Sequence, residues 1–102
     1  MSAVLVLSEI TSEREEVLRA LQAEGFAVVA AQSATDAVRE LWAGTFIVAV
    51  IPTLLTGTTS TALKQQLAQL APEIEVVVHN KQEELSRLVR KVCAIRDGVA
   101  AA

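Results

Sequence analysis

Four short apolar runs alternate strictly with four amphipathic stretches along the chain, and this alternation limits the available folds more than any other feature. The runs are Val4-Leu5-Val6-Leu7, residues 26–31 (Phe-Ala-Val-Val-Ala-Ala), residues 46–51 (Phe-Ile-Val-Ala-Val-Ile) and residues 74–78 (Ile-Glu-Val-Val-Val). Continuous apolar runs of this length predict strands covered on both faces. The stretches between them repeat apolar residues at helical spacing. Val17, Leu18 and Leu21 share one face, as do Val38, Leu41 and Trp42, then Leu63, Leu67 and Leu70, and finally Leu85, Leu88, Val89 and Val92 over residues 82–95. Ser12-x-x-Glu15 and Ser33-x-x-Asp36 read as helix starts, and Gly25, Gly44 and Gly98 as stops. Pro72 prevents the third helix from continuing. Strict β-α alternation predicts an α/β, doubly wound parallel sheet of four strands with helices on both faces. In such a sheet, binding chemistry belongs at the carboxyl ends of the strands. Those positions are Ser8-Glu9, Ala31-Gln32, Pro52-Thr53 and His79-Asn80.

Composition narrows the functional classes. With 102 residues the chain forms one domain, expected over residues 1–98 with a short frayed tail at 99–102. The single cysteine, Cys93, excludes an internal disulfide and a Cys-rich zinc site; on the apolar stripe of the last helix it reads as a buried structural thiol. A net charge of −3 argues against nucleic-acid binding, which needs a surplus of Lys and Arg. The first apolar run has no basic residue before it and is too short to span a bilayer, so no membrane association and a cytoplasmic location are expected. The charge is unevenly spread. Residues 1–80 carry four basic and nine acidic side chains, while the last helix region sets Lys81, Arg87, Arg90, Lys91 and Arg96 against Glu83 and Glu84. This asymmetry fits a docking face for an acidic partner, and it also fits the preference of cations for a helix C-terminus.

The residues carry a resemblance to the receiver domain of bacterial response regulators, which has a flavodoxin-like fold. Val4-Leu5-Val6-Leu7-Ser8-Glu9 resembles the family's first strand and acidic pair. The stretch Leu18-Arg19-Ala20-Leu21-Gln22-Ala23-Glu24-Gly25-Phe26-Ala27-Val28 resembles its first helix, glycine turn and second strand. Residues 46–57 resemble the third strand and following loop, and Ala71-Pro72-Glu73-Ile74-Glu75-Val76-Val77-Val78 the fourth strand. The resemblance implies strand order 2-1-3-4 and a role in two-component signal transduction.

The family's chemistry does not follow. Receivers hold Mg²⁺ with two acidic residues after the first strand, where this chain has Ser8 and Glu9. Their phosphoacceptor aspartate closes the third strand, where this chain has Pro52, or Ile51 or Thr53 with a slip of one. No Asp or Glu occurs between residues 41 and 72, and an acyl phosphate needs a carboxylate nucleophile. The family's hydroxyl residue falls on Asn80, and Lys81 is a candidate for its lysine. A receiver continues with a helix, a fifth strand bearing a switch aromatic, and a last helix; here the last-helix pattern follows Asn80 almost at once. One helix and one strand are missing, and Phe26, Trp42 and Phe46 all read as core.

The expected function is therefore a non-catalytic pseudo-receiver, signalling or scaffolding through protein contacts, with no enzyme activity, metal or cofactor. Loss of the fifth strand leaves the Val76-Val77-Val78 edge open, so homo-oligomers are expected through that edge or the last helix, with Arg87, Arg90 and Lys91 on the interaction face. The alternative is a small anion or nucleotide binder around Gly57, Thr58 and Thr59, where free N–H groups open a helix. Ordinary N-capping accounts for the same residues. Glu9 reads as a solvated loop carboxylate and His79 as a surface or edge histidine.

Overall fold

The computed structural model describes residues 3–80 and 82–98. Its elements are β1 (Ala3–Leu7), α1 (Thr11–Ala23), β2 (Ala27–Ala31), α2 (Ala34–Ala43), β3 (Val48–Pro52), α3 (Ser60–Leu70), β4 (Glu75–His79) and α4 (Leu85–Arg96). All strand pairs are parallel and the order is β2-β1-β3-β4, as expected. β1 and β3 occupy the centre, which explains why their residues are almost entirely shielded from water.

The alternation of strand side chains divides the core into two layers. Val4, Val6, Val48 and Val50 point to one face, where Val17 and Leu21 of α1 and Leu88 and Val92 of α4 cover them. Leu5, Leu7, Ala49 and Ile51 point to the other, beneath Ala37 of α2 and Leu63 and Leu67 of α3. Removing apolar surface from water on both faces is what stabilises a sheet of such short strands. Among the described residues no strand or further helix stands between β4 and α4. Lys81 and the expected tail at 99–102 lie outside the described residues.

Several local expectations are corrected. α1 begins at Thr11 and its N-cap is Ile10, without a side-chain cap, so Ser12-x-x-Glu15 is not a capping box. Ser8 shapes the turn instead: its Oγ accepts from the Ile10 N–H at 3.2 Å and donates to the Ile10 carbonyl. The Arg14 guanidinium also donates to the Ser8 carbonyl at 2.9 Å. At α2 the expected cap is present, Ser33 Oγ accepting from the Asp36 N–H at 3.1 Å.

Trp42 is 76% exposed rather than buried, while the Phe46 ring is among the groups packed against the layer beneath α2. A Cβ on Gly44 would lie 3.6 Å from that ring. Leu70, the last residue of α3, is displaced to the surface in the same way, with Ile74 packed in the layer below. Cys93 is only partly buried. α4 starts at Leu85 rather than 82, since Asn80 holds a turn there: its Oδ1 accepts from the Gln82 N–H and its carbonyl from the Glu83 N–H. The expected stop at Gly25 adopts φ +89°, which a side chain would strain.

Candidate functional site

The carboxyl ends of β1, β3 and β4 border a cleft of about 200 Å³. Ser8, Glu9 and Ile10 follow β1; Pro52, Thr53 and Leu54 close β3; His79 ends β4; Glu13 and Val17 form the α1 wall. The sheet register explains how they meet. Val6 pairs with Val50, which brings the residues after β1 level with the end of β3, and Pro52 pairs with His79. Most of the lining is apolar, and β3 contributes no ionisable group to it.

Glu9 is exposed in the loop after β1 and also has a partner within the chain. Its carboxylate accepts from the Thr56 N–H at 3.0 and 3.2 Å and from the Thr56 hydroxyl at 3.1 Å. The loop after β3 is thus clasped to the turn after β1 by a negative charge supplied from within the chain. Charge-assisted hydrogen bonds to a carboxylate are stronger than neutral ones. Gly57 turns the loop at φ +80°, and Thr59 Oγ1 accepts from the Ala62 N–H at 3.0 Å as the N-cap of α3. The N–H group nearest Gly57 on its N-terminal side therefore already faces a carboxylate, and the capping hydroxyl is engaged in its ordinary role.

His79, the last residue of the edge strand β4, is half-buried at the cleft, and its Nδ1 is buried without a hydrogen-bond partner among the described residues. Below it Glu83 is held under the ordinary glutamate range, mainly by the hydrogen bond from Lys91 Nζ at 2.8 Å. Asn80 is occupied in the turn before α4. Cys93, beside Glu24, has its thiol pushed up from its ordinary value, chiefly by burial.

Ser8, Glu9, Pro52 and His79 thus come together, while Gly57, Thr58 and Thr59 lie outside the cleft lining. Sequence reading missed Thr56 as the partner of Glu9, 47 residues away, and no local pattern announces such a contact. It also missed Glu13, whose place in the first turn of α1, facing the strand ends, was the available signal.

Among the described residues no three His, Cys, Asp or Glu side chains are grouped to hold a metal ion. Mg²⁺ is held by one or two carboxylates together with waters and phosphate oxygens. Here β3 ends in proline with no carboxylate beside it, the Ser8 hydroxyl is turned to its own backbone, and Glu9 already accepts hydrogen bonds from Thr56. The donor set does not fit the Mg²⁺ of a receiver.

No family model and no curated protein matches the sequence. Solved structures do match. A receiver domain protein (CheY-like) from Methanospirillum hungatei JF-1 is 16% identical with a TM-score of 0.88, over 97% of this chain and 96% of that one. A sensor protein from Polaromonas sp. JS666 is 13% identical with a TM-score of 0.85, over 97% and 98%. A response regulator from Thermotoga maritima, solved with Mg²⁺ and BeF, is 15% identical with a TM-score of 0.83, over 93% and 99%. Four parallel strands in the order 2-1-3-4, flanked by helices on both faces, give this chain the fold of the response-regulator receiver domain.

Proposed function

We propose that the chain is a non-catalytic pseudo-receiver: a signalling or scaffolding domain that acts through protein contacts and is not phosphorylated on aspartate. The observation that carries this reading is the end of β3, where Ile51, Pro52 and Thr53 stand at the strand terminus and no carboxylate occurs between residues 41 and 72. Proline offers neither a nucleophile nor a backbone donor at that position. The clasp of Glu9 on Thr56 supports the same reading, since it gives the remaining acidic residue of the family's pair a partner within the chain. Contact with proteins is supported by Ile10, 48% exposed, and Leu54, 84% exposed, which flank the cleft. Exposed apolar groups that converge on one site favour association. Self-association through the β4 edge or the last helix is the finer form of this reading. It stands second to a different protein partner, because Arg87 and Arg90 would face their own copies.

Beryllofluoride with Mg²⁺, and separately acetyl phosphate with Mg²⁺, test the proposal. Amide resonances of residues 8–10 and 53–57 are expected to stay unmoved, and the intact mass to gain no phosphoryl group. A stoichiometric adduct with either reagent overturns the reading.

A further inference from the structure

β4 pairs only with β3, so one of its edges faces outward. The Glu75 N–H donates to the Ile47 carbonyl at 3.0 Å. By the alternation of a strand, Val77 and His79 also turn their backbone groups to β3, while Val76 and Val78 turn theirs to the open side. Beside this edge lies a groove of about 670 Å³ between β4 and α4. Val77 forms part of its floor, Ala94 and Ile95 part of its wall, and Arg87, Arg90 and Lys91 its rim. Lys91 is paired with Glu83, but Arg87 and Arg90 are exposed and enter no ion pair among the described residues.

Open edges in native sheets are usually blunted by a lysine, a proline, a bulge or a covering element. β4, Glu-Val-Val-Val-His, has no such residue and keeps regular register with β3 throughout. The groove is the space beside β4 that direct passage from β4 into α4 leaves without a strand.

We infer that the groove between the β4 edge and α4 takes an extended acidic segment of another protein, added to the sheet as a fifth strand. The inference rests on the protein-contact reading above and names the chemistry of the partner. Val76 and Val78 supply the main-chain hydrogen bonds; of the side chains that the added strand turns toward α4, the apolar ones meet Val77, Ala94 and Ile95 and the carboxylates meet Arg87 and Arg90. A second copy fits less well. Two-fold pairing of β4 edges is antiparallel and sets both α4 helices on the same face, bringing Arg87 and Arg90 against their own counterparts.

The test uses three capped octapeptides: one with valine and glutamate taking turns on one strand face and threonine on the other, the same peptide with lysine in place of glutamate, and the glutamate peptide with methyl groups on its edge-facing backbone nitrogens. Hydrogen exchange at the Val76 and Val78 amides is expected to slow about tenfold with the glutamate peptide. The lysine and N-methylated peptides should leave it unchanged. Joint replacement Arg87→Glu and Arg90→Glu should reverse the charge preference, with circular dichroism confirming the fold; if that variant does not fold, loss of binding in high salt reads the same electrostatics on the unmodified chain. The inference is overturned if no peptide slows exchange or if the N-methylated peptide binds equally. It is also overturned if the two amides are already protected in a concentration-dependent dimer, which would make the occupant a second copy. These outcomes are independent of the beryllofluoride result, so either proposal can fail without the other.

Discussion

Glu83 and Lys91 join the turn that precedes α4 to the second turn of that helix, at 2.8 Å. The hydrogen bond from Lys91 is the main reason the Glu83 carboxyl sits below its ordinary value of 4.5, with smaller contributions from Lys91, His79 and Arg87 as charges. A carboxyl whose folded value is depressed binds its proton less readily folded than unfolded. Its stabilisation is therefore complete above the unfolded value and is lost as pH falls through the folded one. The stability difference between the native chain and Glu83→Gln should be constant near neutrality and vanish on acidification below about pH 4.5. Urea denaturation at a series of pH values measures it, and a difference that grows on acidification contradicts the assignment. A local partner made Ser33 legible as the cap of α2 three residues away, though the same local pattern at Ser12 caps nothing. The partner of Glu9 lies across the sheet, and that contact depends on the strand register as a whole.

Among the elements, α4 shows both what a pattern can fix and what it cannot. Its inward stripe was legible, and Leu88 and Val92 are fully buried against β1 and β3. Its start was not, because the periodic pattern continues through residues whose backbone is held in a turn by Asn80. Truncating Leu88 to Ala should cost about 2–5 kcal/mol, the range for a buried leucine that leaves a cavity. Leu54→Ala, at a side chain 84% exposed, should change stability by no more than about 0.5 kcal/mol. Chemical denaturation of the two variants decides whether α4 is an integral cover of the sheet or a loosely held appendage; equal effects would mean the latter. α2 illustrates the opposite limit. Trp42 falls on the apolar stripe by spacing, yet it is exposed, and Phe46 from the next segment packs against that layer of the core. Helical periodicity carries no information about a competitor that arrives from another element.

For the molecule as a whole, the parallel sheet covered on both faces followed from the alternation of short apolar runs, because parallel strands need crossover helices, whereas the strand order followed from the resemblance to receiver domains. The partition of charge was equally readable, but where the basic residues stand relative to the open edge required the packed structure. The position of the single tryptophan gives the molecule an optical property as well. Trp42 sits in water on α2, which packs with β1 and β2, whereas β4 lies three strand spacings, about 14 Å, from β2. Its emission should already have the red-shifted maximum of a hydrated indole in the folded protein and change little on denaturation. It should also stay constant when a peptide docks at β4. A blue shift on adding a partner would place that partner over α2 instead, so a fluorimeter alone can distinguish which side of this small domain has been covered.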